Sequence, residues 1–243
     1  MIGDQPTIAL PPVGPWQQAT VAEIRVETPR AKTYRLALPE VTPHVAGQHF
    51  LVRLTAPDGY TAQRSYSVAS APGDGTEIEL TVERLPDGEV SSFLHDDLVA
   101  GDHLEVRGPI GGWFVWDATF PALLIGGGSG VVPLMAMLRL ARRSRQQPDL
   151  AHLIVSTRSQ EELIYAGELA AHDTSILYTR HAPESASRPV GRITTEDVQP
   201  HVGQVRAVYI CGSAAFADAA TERCLEAGVE RGAIRVERFG PTN

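Results

Sequence analysis

Leu123-Leu124-Ile125-Gly126-Gly127-Gly128-Ser129-Gly130-Val131-Val132-Pro133 changes rhythm twice in a short span. Leu123, Leu124 and Ile125 read as the end of a buried parallel strand, since strands covered on both faces run continuously apolar. Three glycines then make a tight turn. Ser129 and Gly130 open a helix that continues through Leu134, Met135, Leu138 and Arg139. A strand that breaks into glycines and restarts as a helix aims backbone N–H groups and a helix N-terminus at one point, which suits a phosphate or pyrophosphate. The same glycines also serve a plain tight connection, and the stretch alone does not separate the two.

Working outward, the residues after Asp117 alternate strand and helix. Pro121–Ile125 is a strand, and Val131–Arg143 a helix with apolar residues at helical spacing. His152–Thr157 is a continuous apolar strand, Glu161–Ala171 a helix, and Ser175–Thr179 and Val205–Cys211 are strands. Ala214–Ala227 is a helix, and Ile234 with Val236 marks a last strand. That order implies an α/β domain over residues 117–243, built on a parallel sheet. Upstream, the period is two. Ile24/Val26, Tyr34/Leu36/Leu38, Phe50/Val52/Leu54, Tyr66/Val68, Ile78/Leu80/Val82 and Leu104/Val106 are six short strands between Pro, Gly and Asp turns. They predict a six-stranded antiparallel β-barrel over residues 16–116. One helix interrupts it at about 90–98, with Phe93, Leu94 and Leu98 on one face. Residues 1–15 hold four prolines and read as a flexible arm.

Composition narrows the class. The 243 residues suffice for two modest domains, and 43% hydrophobic with 21% charged residues describes a folded protein. A net charge of −8 argues against nucleic acid, whose binders carry a basic face. Arginine supplies nearly all positive charge, Lys32 being the only lysine. Two cysteines, Cys211 and Cys224, make neither a disulfide framework nor the four-thiolate ligand set of an iron–sulfur cluster. The histidines lack ligand-like spacing, so no metal is expected. No signal peptide or membrane-span-length apolar run is visible, and the chain reads as cytoplasmic.

Other segments carry chemistry. Arg64-Ser65-Tyr66-Ser67 lies on the fourth barrel strand, where alternation puts Arg64 and Tyr66 on one face and Ser65 and Ser67 on the other. An edge strand with a surface arginine is the plainer account. Val82-Glu83-Arg84 ends the next strand, and Gly88-Glu89-Val90-Ser91 starts the barrel's helix, a second candidate phosphate site. Gly108-Pro109-Ile110-Gly111-Gly112-Trp113-Phe114 sits at the domain junction, where a simple interdomain turn also accounts for it. Trp113 and Trp116 are expected in core and interdomain packing.

Taken in order with Gly126–Pro133 and Cys211-Gly212, these segments resemble the ferredoxin–NADP⁺ reductase superfamily, over about residues 16–240. The nearest likeness is to reductase modules of oxygenases and to bacterial flavodoxin and ferredoxin reductases. The resemblance implies tightly bound FAD on the barrel and NADPH as hydride donor on the α/β domain, with NADH possible. It assigns Arg64, Ser65, Tyr66 and Ser67 to the flavin: Arg64 on the pyrophosphate, Tyr66 stacked on the ring, Ser67 near the hydride-accepting atom. Gly88, Val90 and the Ser91 hydroxyl would hold the pyrophosphate, flanked by Val82 and Arg84. The Gly88–Ser91 cluster favours FAD over FMN. Gly127, Gly128, Ser129 and Gly130 would meet the nicotinamide nucleotide, with Cys211 and Gly212 near its reacting carbon; a small buried hydrophobe is the other account of Cys211. Arg158, Arg180 and Arg192 are candidates for the 2′-phosphate of NADPH, or else solvated arginines. No acidic residue stands at the end of the second α/β strand. Near the C-terminus Phe239 is the candidate flavin cover, with Glu237 the available acidic residue.

The function so implied is a flavin reductase that receives a hydride from NADPH and passes electrons singly to a separate protein such as ferredoxin, flavodoxin or an oxygenase component. A small-molecule acceptor (free flavin, ferric complex or quinone) and a non-catalytic nucleotide-binding subunit are the competing accounts.

Overall fold

In a computed structural model describing residues 8–144, 149–203 and 205–239, the chain builds two sheets in sequence. The first is antiparallel: β1 (Gln17–Thr28), β2 (Ala31–Ala37), β3 (His49–Thr55), β4 (Thr61–Ser67), β5 (Glu77–Glu83) and β6 (His103–Ile110), in the order β4-β3-β6-β1-β2-β5. Its outer strands meet through a bridge between Val68 and Leu80, so the sheet curls toward closure. The period-two pattern supplies its interior: Tyr34, Leu36, Phe50, Val52, Ile78, Leu80, Val82, Leu104 and Val106 pack as one cluster.

Helix α1 (Glu89–Asp96) packs on this barrel through Val90 and Leu94, joined by Leu98 just beyond it. These three recur every four residues and share a face. Phe93, expected on that face, is turned away and 41% exposed. The end of α1 is pinned by β2: the Tyr34 hydroxyl donates to the Leu94 carbonyl at 2.5 Å, and Lys32 Nζ to the His95 carbonyl at 2.6 Å. Gly14 is tied to the barrel by its N–H, which donates to Gly108 O at 3.0 Å; the first part of the expected arm, residues 1–7, lies outside the described residues.

The second sheet is parallel: β7 (Ala122–Gly127), β8 (Ala151–Thr157), β9 (Thr174–Tyr178), β10 (Ala207–Ser213) and β11 (Ile234–Phe239), in the order β11-β10-β7-β8-β9. Helix α2 (Val131–Arg143) covers one face and α4 (Ala214–Glu226) the other. A single turn, α3 (Thr195–Val198), is capped reciprocally by Thr194 and Asp197. The chain runs from β7 outward to β9, then crosses back to β10. The carboxyl ends of β7 and β10 therefore flank the switch point, where open α/β sheets bind their ligands.

The helix expected over 161–171 does not form. A 3₁₀ turn at Gln160–Glu162 is followed by turns. Leu163, Ile164 and Tyr165 are all buried, so this run has no polar face to give solvent, and Tyr165 adopts φ +63°. Its side chain reaches the barrel, where the hydroxyl donates to Thr81 Oγ1 at 2.5 Å.

The junction is close-packed. Gly47 has φ +96°, and a Cβ there would lie 1.9 Å from Phe114 O, so only glycine fits. Trp116 is fully buried, with its indole N–H donating to Phe120 O at 3.1 Å, and the Tyr209 hydroxyl donates to Val115 O at 2.9 Å. Trp113 departs from its expected packing role: it is 67% exposed, with the Arg235 guanidinium 5.7 Å from its ring.

Candidate functional site

On β4, Arg64 pairs across the ladder with Val52 and Tyr66 with Phe50, so both stand on the inward face, as alternation requires. Tyr66 packs half-buried against the barrel core, and burial pushes its phenol up to about 12, keeping it neutral. Arg64 lies at the rim, exposed. Its guanidinium donates to the carbonyl of its neighbour Gln63 at 2.7 Å, and it has no carboxylate partner among the described residues. Its fork is available to an anion. Ser65 is exposed and Ser67 buried, because the chain past Ser67 turns inward to the Val68–Leu80 bridge.

The start of α1 lies beside this strand. Gly88 is its N-cap and supplies no side-chain hydrogen bond, so the first-turn N–H groups, including that of Val90, are uncapped. The Ser91 hydroxyl is committed internally, accepting the Leu85 N–H at 3.2 Å and donating to the Gly88 carbonyl at 3.1 Å. It closes the turn, and the backbone is left as the anion-binding element. Val82 lies in the barrel core, and Arg84, 40% exposed at the end of the strand, pairs with Asp96 at 2.8 Å. Arg64 and an uncapped helix start beside a half-buried aromatic ring fit the pyrophosphate and ring of a flavin dinucleotide.

On the α/β side, β7 ends at Gly127, and a 3₁₀ turn over Gly128–Gly130 leads into α2. The glycines divide the work. A Cβ on Gly130 would sit 2.2 Å from the Cys211 carbonyl oxygen, and one on Gly127 would sit 2.6 Å from the Phe216 ring. These two let the turn press against β10. Gly128 is exposed, with φ +56° and open space around it, and Ser129 beside it is half-buried. The glycine turn, Cys211 and Gly212 are thereby brought together at the switch point.

Cys211 is fully buried. Burial and the neighbouring Glu237 carboxylate push its thiol well above the usual range, so it stays a neutral thiol rather than a nucleophile. Glu237 pairs with Cys211 in the β10–β11 register, burial raises its carboxyl to about 7, and its Oε2 is buried without a hydrogen-bond partner among the described residues. An unsatisfied buried acceptor at this place fits a ligand that carries polar hydrogens. Phe239 lies two residues on, packed against the cluster that holds Cys211, Trp116 and Ala69. The four residues after it lie outside the described ones.

The three arginines converge on one corner. The N–H groups of Arg180 and His181 both donate to Arg158 O at 3.0 Å, and Gly191, next to Arg192, donates to Tyr178 O at 2.9 Å. Arg180 and Arg192 are exposed. The 3₁₀ turn after β8 also brings Glu162 to Arg158, at 3.3 Å, so an acidic residue does stand near the end of the second α/β strand. Its place depends on the turn that replaced the expected helix. Phe216 and Arg139 carry no motif in the sequence; the signal for Arg139 is a cation set among apolar residues, three positions before the arginines that end α2.

Comparison with known proteins fits this geometry. The family "Oxidoreductase FAD-binding domain" matches residues 18–115, and "Oxidoreductase NAD-binding domain" matches residues 124–222. NADH oxidoreductase HCR of Escherichia coli (strain K12) is 31% identical over 220 residues, covering 89% of this chain and 66% of that protein. The toluate 1,2-dioxygenase electron transfer component of Pseudomonas putida is 28% identical over 232 residues, covering 91% of this chain and 67% of that one. The crystal structure of the Amycolatopsis cytochrome P450 reductase GcoB gives a TM-score of 0.80 at 26% identity, over 98% of this chain and 73% of that one. The chain spans between 30% and 67% of the length of such curated relatives. No helix among the described residues is long and apolar enough to cross a membrane. With an FAD-binding domain on the first sheet and a pyridine-nucleotide-binding domain on the second, the chain belongs to the ferredoxin–NADP⁺ reductase superfamily of oxidoreductases.

Proposed function

We propose that this chain is a flavin-dependent oxidoreductase that takes a hydride from NADPH onto FAD and passes electrons singly to a separate redox protein. One observation carries the reading: the glycine turn, Cys211 and Glu237 meet at the switch point, in contact with a cluster that reaches Ala69, two residues past Ser67. FAD, when bound, supplies a two-electron acceptor that can release electrons one at a time. The division into an FAD domain over 16–116 and an NAD(P) domain over 117–243 belongs to the same reading.

In this scheme Arg64 and the first turn of α1 hold a pyrophosphate, and neutral Tyr66 offers its ring face for stacking. Ser67 orients the flavin from the strand end. Gly128 and Ser129 admit the second nucleotide, while Gly212, where a Cβ would meet the Phe216 ring at 2.7 Å, lets β10 close against the glycine turn beside it. The buried Cys211 thiol and the protonatable Glu237 wall the reaction space and exclude water. Phe239 covers the same space from β11. Two cysteines are too few for the four thiolates of an iron–sulfur cluster, so in this reading such a cluster belongs to the acceptor. The names of the Pseudomonas relatives, an electron transfer component and reductase subunits, favour a protein acceptor. We place the protein in the cytoplasm.

The preference for NADPH rests on the corner formed by Arg158, Arg180 and Arg192. A specific observation favours NADH as the second reading: Glu162 already engages Arg158, and a carboxylate there suits ribose hydroxyls. Anaerobic mixing of the flavin-loaded protein with each nucleotide decides. We expect NADPH to bleach the flavin at least tenfold faster at equal concentration, and Arg158→Ala with Arg180→Ala to erase the difference. Faster bleaching by NADH assigns the corner to NADH, and a protein that takes up no FAD removes the function.

A further inference from the structure

Arg139 sits where the two sheets meet. It is the most buried of the three arginines of α2, its side chain 16% exposed. Both edges of its guanidinium are used. Nε and Nη2 donate to the Glu168 carboxylate at 3.0 and 2.5 Å. Nη1 donates to Glu79 Oε2 at 2.7 Å and to the Ala69 carbonyl at 2.9 Å. The Tyr165 ring lies 5.1 Å from the guanidinium carbon, and its hydroxyl reaches Thr81, two residues from Glu79 on β5. Arg25 of β1 faces the same carboxylate at 3.6 Å while holding Glu27 at 2.8 Å, and Arg142, one turn on, holds Asp173 at 2.7 Å.

The two ends of this arrangement carry the inference. Helix α2 grows out of the Gly127–Gly130 turn, and at 1.5 Å per residue Arg139 stands about 12 Å along it. Ala69 follows Ser67 by two residues, and its own N–H donates to Glu79 O at 2.8 Å. The Arg139 side chain therefore joins the helix that starts at the nucleotide turn to the strand end that carries Tyr66 and Ser67, and Arg143, donating to the Pro72 carbonyl, adds a second link one turn farther along the helix. A planar fork with four engaged donors fixes orientation as well as distance, which a lysine cannot do. Net stability is a poor reason to keep such a group, because desolvating a half-buried charge offsets much of its Coulombic gain. Placement is a better one, since a misplacement of about 1 Å between reacting groups costs about a hundredfold in rate.

We propose that Arg139 is a positioning residue: it sets the separation between the Gly127–Gly130 turn and Tyr66–Ser67 without touching either nucleotide. The inference rests on the functional reading above. It is tested on the full chain with Arg139→Gln and Arg139→Lys. In the flavin-loaded protein, Arg139→Gln should lower the limiting rate of bleaching by NADPH ten- to a hundredfold. Its affinity for NADPH and its flavin spectrum should stay within twofold. Arg139→Lys should recover part of the rate, since it restores the charge without the fork. In the flavin-free protein, backbone amides of residues 66–71 should exchange with deuterium at least tenfold faster in Arg139→Gln than in the wild type. Equal bleaching rates and equal exchange overturn the inference. So does a joint fall of rate, nucleotide affinity and melting temperature, which marks a general stabiliser. A wild-type flavin bleached by neither NADPH nor NADH removes the functional reading and this inference together, whereas wild type and variant bleached equally fast removes the inference alone.

Discussion

Two turns rich in glycine and serine start helices in this molecule, and they do different work. At Gly88–Ser91 the serine side chain closes the turn and the backbone of α1 is left facing outward. At Gly127–Gly130 the glycines close the turn by letting it press against β10 and the Phe216 ring, and only Gly128 is left open. Composition alone makes both look like phosphate cradles. Packing separates a residue that makes the cradle possible from one that touches what lies in it.

The largest effect should come from the packing glycine. Gly130→Ala places a methyl 2.2 Å from a backbone oxygen that cannot move away cheaply, so we expect a loss of about 3 kcal/mol in urea unfolding or no soluble protein. A stable Gly130→Ala with normal flavin reduction would break the contrast between the two turns. Next, Arg64→Ala should leave the urea midpoint unchanged, because Arg64 is exposed without an ion pair among the described residues, yet weaken FAD binding by about 2 kcal/mol, roughly thirtyfold in titration.

The α/β side also carries a pH signature. Burial raises the Glu237 carboxyl from 4.5 to about 7, so the folded chain keeps a proton that the unfolded chain releases between those values. This group's contribution to stability is therefore greatest below about pH 4.5, falls as pH rises to about 7, and is level above. Glu237→Gln should remove that fall, which is about 1.4 kcal/mol per pH unit inside the window, in paired unfolding curves at pH 5 and pH 7. Identical pH dependence of the two proteins would mean that the carboxyl is solvated. Smallest of all, Ser91→Ala should cost about 1 kcal/mol of stability through the unpaired Leu85 N–H and change FAD affinity far less than Arg64→Ala. The reverse order would reassign the Ser91 hydroxyl to the ligand.

Much of this architecture could be read from local pattern. The bounds of α2 follow from its spacing of apolar residues, and the six barrel strands from alternation, because each pattern reports which face is buried. The 161–171 segment was illegible for the opposite reason. Its apolar run resembles a helix until the side chains are seen to divide between the barrel and α2, a contact fixed by Thr81, far away in sequence. The glycine turn and the Arg64–Ser67 strand were visible as candidates, but the internal commitments of Ser91 and Arg84 were not. Those depend on partners such as Asp96, which no motif marks. Arg139 was hidden likewise, since Glu79 comes to it only through the meeting of the two sheets and Glu168 only through the turns that replace the expected helix.

The single lysine has a practical consequence. Lys32 is the chain's one side-chain amine, and it is spent on the last turn of α1. An amine-reactive label or coupling resin will meet Lys32 and no other side chain of these 243 residues. Modification at Lys32 would remove the ammonium that tethers α1 to β2, and with it part of the seat of the helix whose opposite end meets Tyr60 through Glu89. Attachment through another chemistry keeps that helix in place.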